Sequence, residues 1–106
     1  MANTSTLQFP SNKQFIITLP KSLVLAKAWQ KSDMLEFILD QTGNIIIQKQ
    51  ESEKISSKSS LQLRNGKQFV ITIPKSLVMA KGWKQGDILE FMFNEHAQIV
   101  MKKIPN

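Results

Sequence analysis

The chain has 106 residues, 42% of them hydrophobic, no cysteine and a formal net charge of +6. That length suits one domain, or two halves sharing a core. The missing cysteine excludes disulfides and thiolate metal sites and fits a cytoplasmic protein, the longest apolar runs fall far short of a membrane span, and the basic balance points to nucleic acid or another anionic surface.

Residues 1–6 have neither a basic n-region nor an apolar h-region, so no secretory signal is expected and this stretch reads as a disordered terminus. Residues 7–50 form a first unit and residues 61–104 a second. At an offset of 54 the two align without a gap, and 21 of the 44 pairs are identical. A repeat of this size is too small to bury its own apolar face, so two copies predict one pseudo-symmetric domain, built where two identical chains would otherwise pair. Residues 51–60 between them are polar and serine-rich and read as a flexible linker.

The elements are clearest in the second copy. Leu61-Gln-Leu-Arg64 alternates as a half-buried strand does, and Asn65-Gly66 turns the chain back as a hairpin. Phe69-Val-Ile-Thr-Ile73 is β-branched and aromatic, a strand buried on both faces. Pro74 ends the ladder because it has no N–H to donate. A short helix is predicted from Ser76 to Lys81, with Leu77, Val78 and Ala80 available for the core and Gly82 ending it in the left-handed conformation. Trp83 is expected to clamp this helix, which is too short to stand alone. After a turn at Gln85-Gly86-Asp87, residues 88–93 and 98–102 read as strands joined by a polar connection. The first copy repeats this order, with Pro10-Ser-Asn12 in its first turn and Thr42-Gly43-Asn44 in its last. The predicted fold class is mainly β with two short helices, β-β-α-β-β twice.

Gly66-Lys-Gln-Phe-Val-Ile-Thr-Ile-Pro-Lys75 and Lys81-Gly-Trp-Lys-Gln-Gly-Asp-Ile-Leu-Glu-Phe91 resemble the AbrB/MazE/SpoVT family of swapped-hairpin DNA-binding domains. The pattern is a glycine turn, a strand ending in Thr-Ile-Pro, a short helix, and Gly-Asp before the next strand. The first copy matches through Thr18-Leu-Pro-Lys21 and Asp33-Met-Leu-Glu-Phe37, and departs at Asn12, Ala28 and Ser32, where the second copy has glycine. The resemblance implies two units that exchange hairpins into one barrel-like body, here as an intrachain pseudo-dimer, and a role in transcription regulation or as the DNA-binding part of an antitoxin.

The resemblance also implies that basic residues on the first hairpin and around the short helix meet DNA. The candidates are Lys13, Lys21, Lys27, Arg64, Lys67, Lys75 and Lys81. The pairs Lys13/Lys67, Lys21/Lys75 and Lys27/Lys81 recur at the repeat offset, the geometry for two matched contacts along a duplex. Gln14, Asn65 and Gln68 are possible base contacts, with turn formation the better role for Asn65. The single arginine limits guanine reading, so affinity is expected to come mainly from phosphates, with modest sequence preference. The first half of the chain is neutral and the second carries the whole charge excess, which predicts a stronger grip by the second copy.

Trp29 and Trp83 fit core packing better than base stacking. His96 is the lone histidine, and no metal-ligand cluster, phosphate loop or nucleophile–base pair appears, so neither cofactor, metal nor enzyme activity is expected. Asp33 and Asp87 read as turn caps, and Glu36 and Glu90 as outward strand positions. The expected partner is double-stranded DNA in a prokaryotic cytoplasm or nucleoid, with no membrane and with self-association possible. The alternative is an antitoxin-like or scaffold protein that binds another protein. A toxin partner is not expected, because no long acidic tail follows the last strand.

Overall fold

The computed structural model describes residues 3–10, 13–50 and 58–105. Among these residues the order is β1 (Asn3–Thr6), β2 (Phe15–Leu19), α1 (Lys21–Ala26), β3 (Met34–Leu39), β4 (Ile45–Lys49), β5 (Lys58–Ser60), β6 (Gln62–Arg64), β7 (Gln68–Ile73), α2 (Lys75–Lys81), β8 (Ile88–Phe93) and β9 (Ile99–Lys103). The chain is mainly β with two short helices, as its hydrophobic patterning predicts. A six-stranded sheet in the order β1-β8-β9-β4-β3-β5 curls as a half-barrel. A second sheet has the order β2-β7-β6. Among the described residues no helix is long and apolar enough to cross a membrane.

The pairing pattern repeats under the 54-residue offset, except that the β6–β7 ladder is answered in the first copy by a single bridge, Gln8 with Ile16. At the centre of one ladder Ile17 faces Ile71, its own counterpart. At the centre of another Ile46 faces Val100, again its counterpart. The pairing of Thr6 with Ile88 is repeated as Ser60 with Met34. Among the described residues, four of the seven strand pairings join one copy, or the short strand that precedes it, to the other copy: β1–β8, β5–β3, β2–β7 and β4–β9. The corners follow the same rule. The Leu7 amide donates to the Asp87 carbonyl at 2.8 Å, and the Leu61 amide donates to the Asp33 carbonyl at 2.8 Å. Leu7 and Leu61 are fully buried at these crossings.

Two expectations are corrected. Residues 1–6 do not all form a disordered terminus, because Asn3–Thr6 is a strand paired with β8. The linker 51–60 shrinks, because Lys58–Ser60 is a strand paired with β3; residues 51–57 lie outside the described residues, as do Ser11 and Asn12 of the first turn. Both segments are polar and lack apolar alternation, so local propensity does not mark them. They are strands because an open sheet edge offers a row of backbone partners, and tertiary pairing overrides propensity.

Each helix begins after a proline, whose carbonyl accepts from the amide three residues on: Leu23 to Pro20 and Leu77 to Pro74, both at 3.0 Å. Helices of six and seven residues are marginal alone and depend on packing. Leu23, Val24 and Val78 supply it, together with Trp29 and Trp83, in one core cluster shared by both copies. Ala80, expected in the core, is exposed, and Leu77 is half-buried. About two turns of helix offer only a narrow inward stripe, and Val78 occupies it.

The two copies keep the same backbone even where glycine has been lost. Gly82 ends α2 with φ +69° as expected, and its counterpart Ala28 takes φ +57°. Gly86 has φ +93° and its counterpart Ser32 φ +77°; Gly43 has φ +85° and its counterpart Ala97 φ +60°. A side chain in this left-handed region costs about 1 kcal/mol, part of it returned by the lower entropy of the unfolded chain. Nothing stands within 4 Å of where a Cβ would sit on Gly43, Gly82 or Gly86, so the constraint is the backbone angle and not space. Ala28→Gly and Ser32→Gly are each expected to raise unfolding stability by about 0.5–1 kcal/mol in urea titration. Gly82→Ala is expected to lower it by a similar amount.

Candidate nucleic-acid interface

Charge is segregated by position within each copy. Residues 3–32 and 58–86 contain no aspartate or glutamate, yet hold nine lysines and Arg64. Every described acid (Asp33, Glu36, Asp40, Asp87, Glu90, Glu95) lies on the β3–β4 or β8–β9 hairpin or in the loop that leads into it. The three-stranded sheet and the two helices therefore carry cations alone. This segregation is legible in the sequence when each repeat is divided at Asp33 and Asp87; dividing the chain into halves conceals it.

The β2–β7 ladder runs from Phe15 opposite Ile73 to Leu19 opposite Phe69. Lys13 lies two residues before Phe15 and Lys75 two after Ile73, so both stand at one end. Lys21 lies two residues after Leu19 and Lys67 two before Phe69, so both stand at the other. Arg64 faces Gln68 across the β6–β7 pair and joins this second end. All five cations are exposed. Because β2 and β7 are antiparallel, each end draws on both copies. The charge difference between the copies thus becomes a difference between ends, with Arg64 at one and its counterpart Pro10 at the other. Like charges gathered at one end of a ladder repel, and an anion placed between them removes that cost.

Lys27 and Lys81 stand elsewhere. The Lys27 Nζ donates to the Ala97 carbonyl at 3.1 Å, and the Lys81 Nζ donates to the Gly43 carbonyl at 2.6 Å. Each amine thus fastens a helix end of one copy to the last hairpin turn of the other. Asn65 has φ +55° beside Gly66 at φ +65°, and the Lys67 amide donates to the Arg64 carbonyl at 3.0 Å. These are the angles of a two-residue hairpin turn, so Asn65 acts through its backbone. Gln14 and Gln68 are both exposed.

The remaining polar groups stabilise turns. Asp33 Oδ2 accepts from the Gln30 amide at 2.8 Å and Asp87 Oδ2 from the Lys84 amide at 2.8 Å, so both cap turns as expected. Lys49 lies 3.7 Å from Asp33 and Lys103 3.5 Å from Asp87. Glu36 is buried rather than exposed on its strand, and its Oε1 accepts from Gln48 Nε2 at 2.8 Å. Trp29 and Trp83 are buried in the core. His96 is exposed, 3.6 Å from Glu95. Among the described residues no group of three or more His, Asp or Glu side chains is arranged to hold a metal.

The turn that receives Lys81 is itself held by Asp40. Its Oδ1 accepts from the Thr42 hydroxyl at 2.7 Å and from the Thr42 and Asn44 amides at 2.9 Å. The Thr42 hydroxyl foremost, with the backbone amides, holds the Asp40 carboxyl below the usual aspartate range. A depressed folded value means that the stabilisation is fully present above the unfolded value and fades as pH falls through the folded one. Asn94, the counterpart of Asp40, accepts from the His96 and Gln98 amides without a charge, so its turn lacks this acid sensitivity. The Asp40 carboxyl signal in an NMR titration is expected to have its midpoint below that of an ordinary aspartate, and Thr42→Ala is expected to move it upward. A midpoint unmoved by that change would remove the hydroxyl as its cause.

No protein family, curated protein or solved structure matches this chain.

Proposed function

We propose that this chain is a double-stranded DNA-binding regulator of transcription of AbrB type, a binding protein rather than an enzyme, acting in a prokaryotic cytoplasm or nucleoid. In this reading the two copies form a swapped-hairpin barrel as an intrachain pseudo-dimer. The self-mirrored pairing of the two copies supports it, together with the Thr-Ile-Pro-Lys and Gly-Asp motifs quoted above.

The observation that carries the functional reading is the segregation of charge. Ten cations and no acid occupy the stretches that build the three-stranded sheet and the helices. A polyanion gains most from such a face, because each phosphate neutralised releases condensed counterions. Lys13 with Lys75, and Lys21 with Lys67, are the phosphate contacts of the two ends, and Arg64 stands beside the second pair. Lys27 and Lys81 serve the fold first, since their amines already have carbonyl partners. A protein partner is the second reading, favoured by the exposed apolar side chains of Leu39 and Phe93 beside the last hairpin turns. Self-association of the intact chain belongs to that reading and is measured by its mass in solution.

Binding to random duplex is expected to weaken steeply from about 50 to 200 mM salt. Changing Lys13, Lys21, Lys67 and Lys75 together to Gln is expected to lower the log–log salt slope by about 3–4, one unit per lost phosphate contact. Lys102→Gln, on β9 of the larger sheet, is expected to leave that slope within about one unit of the parent's. A flat salt response of the parent chain, or equal effects of the two changes, contradicts the reading.

A further inference from the structure

The phosphate contacts leave unexplained four exposed glutamines on the three-stranded sheet: Gln8, Gln14, Gln62 and Gln68. Their placement follows from the strand pleat. Phe15, Ile17, Leu19, Ile71 and Ile73 point into the shared core cluster. Side chains alternate along a strand, so Gln14, Ile16 and Thr18, and likewise Gln68, Val70 and Thr72, occupy the opposite face. Residues paired across a ladder share a face. Gln8 pairs with Ile16, Gln62 with Val70 and Arg64 with Gln68, which adds three more polar side chains to it. Ile16 and Val70, at its middle, lie outside the core cluster but are themselves buried, so the exposed part of this face is the surrounding Gln8, Gln14, Gln62, Arg64 and Gln68. This face has no acid, a row of long amide side chains, and cations at both ends.

Building on the duplex reading above, we propose that this face lies in the major groove as an antiparallel ribbon and reads an unequal inverted repeat. Gln14 and Gln68 each recognise an adenine, and Arg64 recognises a guanine beside only one of them. The groove is about 12 Å wide, enough to admit two strands some 4.8 Å apart with their side chains. A glutamine amide matches the N6 and N7 edge of adenine, and an arginine matches the O6 and N7 edge of guanine. The spacing follows from the register. Gln14 is three residues before Ile17, and Gln68 is three before Ile71, the residue that faces Ile17. On antiparallel strands these offsets add, to about 20 Å at 3.3 Å per residue, or roughly six base pairs. The two adenines therefore lie on opposite strands, related by the axis that passes between Ile17 and Ile71. Lys13 and Lys75 flank one end of this row, and Lys21 and Lys67 the other, where backbone phosphates rise beside the groove. Arg64 stands opposite Gln68, while the counterpart of Arg64 is Pro10, which has no donor to offer. The site therefore has a direction.

Selection from a library of random duplexes tests this, with the intact chain, Gln14→Ala, Gln68→Ala and Arg64→Ala run side by side. The parent is expected to enrich two adenines about six base pairs apart in inverted orientation, with a guanine next to one. Each glutamine change is expected to cost about tenfold in preference for adenine at its own half only. Arg64→Ala is expected to lose the guanine and leave a symmetric motif. If the parent binds duplexes in a salt-dependent way but selects no such motif, or selects one that none of these changes alters, the inference is overturned while the duplex reading stands. If the parent binds no duplex, both are overturned.

Discussion

Neither copy can satisfy its own backbone. Strands β2 and β4 of the first copy find hydrogen-bond partners in β7 and β9 of the second, and β1 and β5 each close the edge of the other copy's last hairpin. An unpaired buried amide or carbonyl costs about as much as a lost hydrogen bond. Separating the copies would expose whole ladders of such groups together with the core they enclose. The fold is therefore a joint product of the two copies. Leu7 and Leu61 show this at single-residue scale: each is fully buried, and each backbone amide donates to the opposite copy.

The candidate DNA-contacting face depends on that joint construction. An antiparallel ladder between counterparts places the start of one copy's strand beside the end of the other's, so Lys13 meets Lys75 and Lys21 meets Lys67 at its ends. The same exchange recruits Lys27 and Lys81 to fasten turns of the opposite copy, which gives each ammonium a structural role. Duplication alone would give two equal ends. Pro10, the counterpart of Arg64, makes them unequal, and with it the three-residue ladder of β6 on β7 is answered in the first copy by the single bridge of Gln8 with Ile16.

Much of this was legible in the residues. The apolar runs, Pro20 and Pro74, Gly82, and Asn65-Gly66 each carry a local conformational reason, and the structure follows them. The strands at Asn3–Thr6 and Lys58–Ser60 were not legible, because serine, threonine and lysine have no reason to extend until an edge is offered. Ala28 and Ser32 read as departures from the glycine pattern, yet both hold left-handed angles, because the conformation is set by the surrounding ladder. The roles of Lys27 and Lys81 were hidden for another reason: their partners lie 70 and 38 residues away. The acid-free stretches were open to inspection from the start and required only a division by strand rather than by copy.

The central claim is that one composite face, built from both copies, meets the duplex. Amide shift mapping of the intact chain by NMR, on titration with a short duplex at low salt, measures this directly. Perturbations are expected at both ends together, around Lys13 and Lys75 and around Lys21, Arg64 and Lys67, and along the outward positions of β2 and β7. The outward positions of β4 and β9 are expected to stay unmoved. Perturbations confined to one copy, or centred on the six-stranded sheet, would contradict the account.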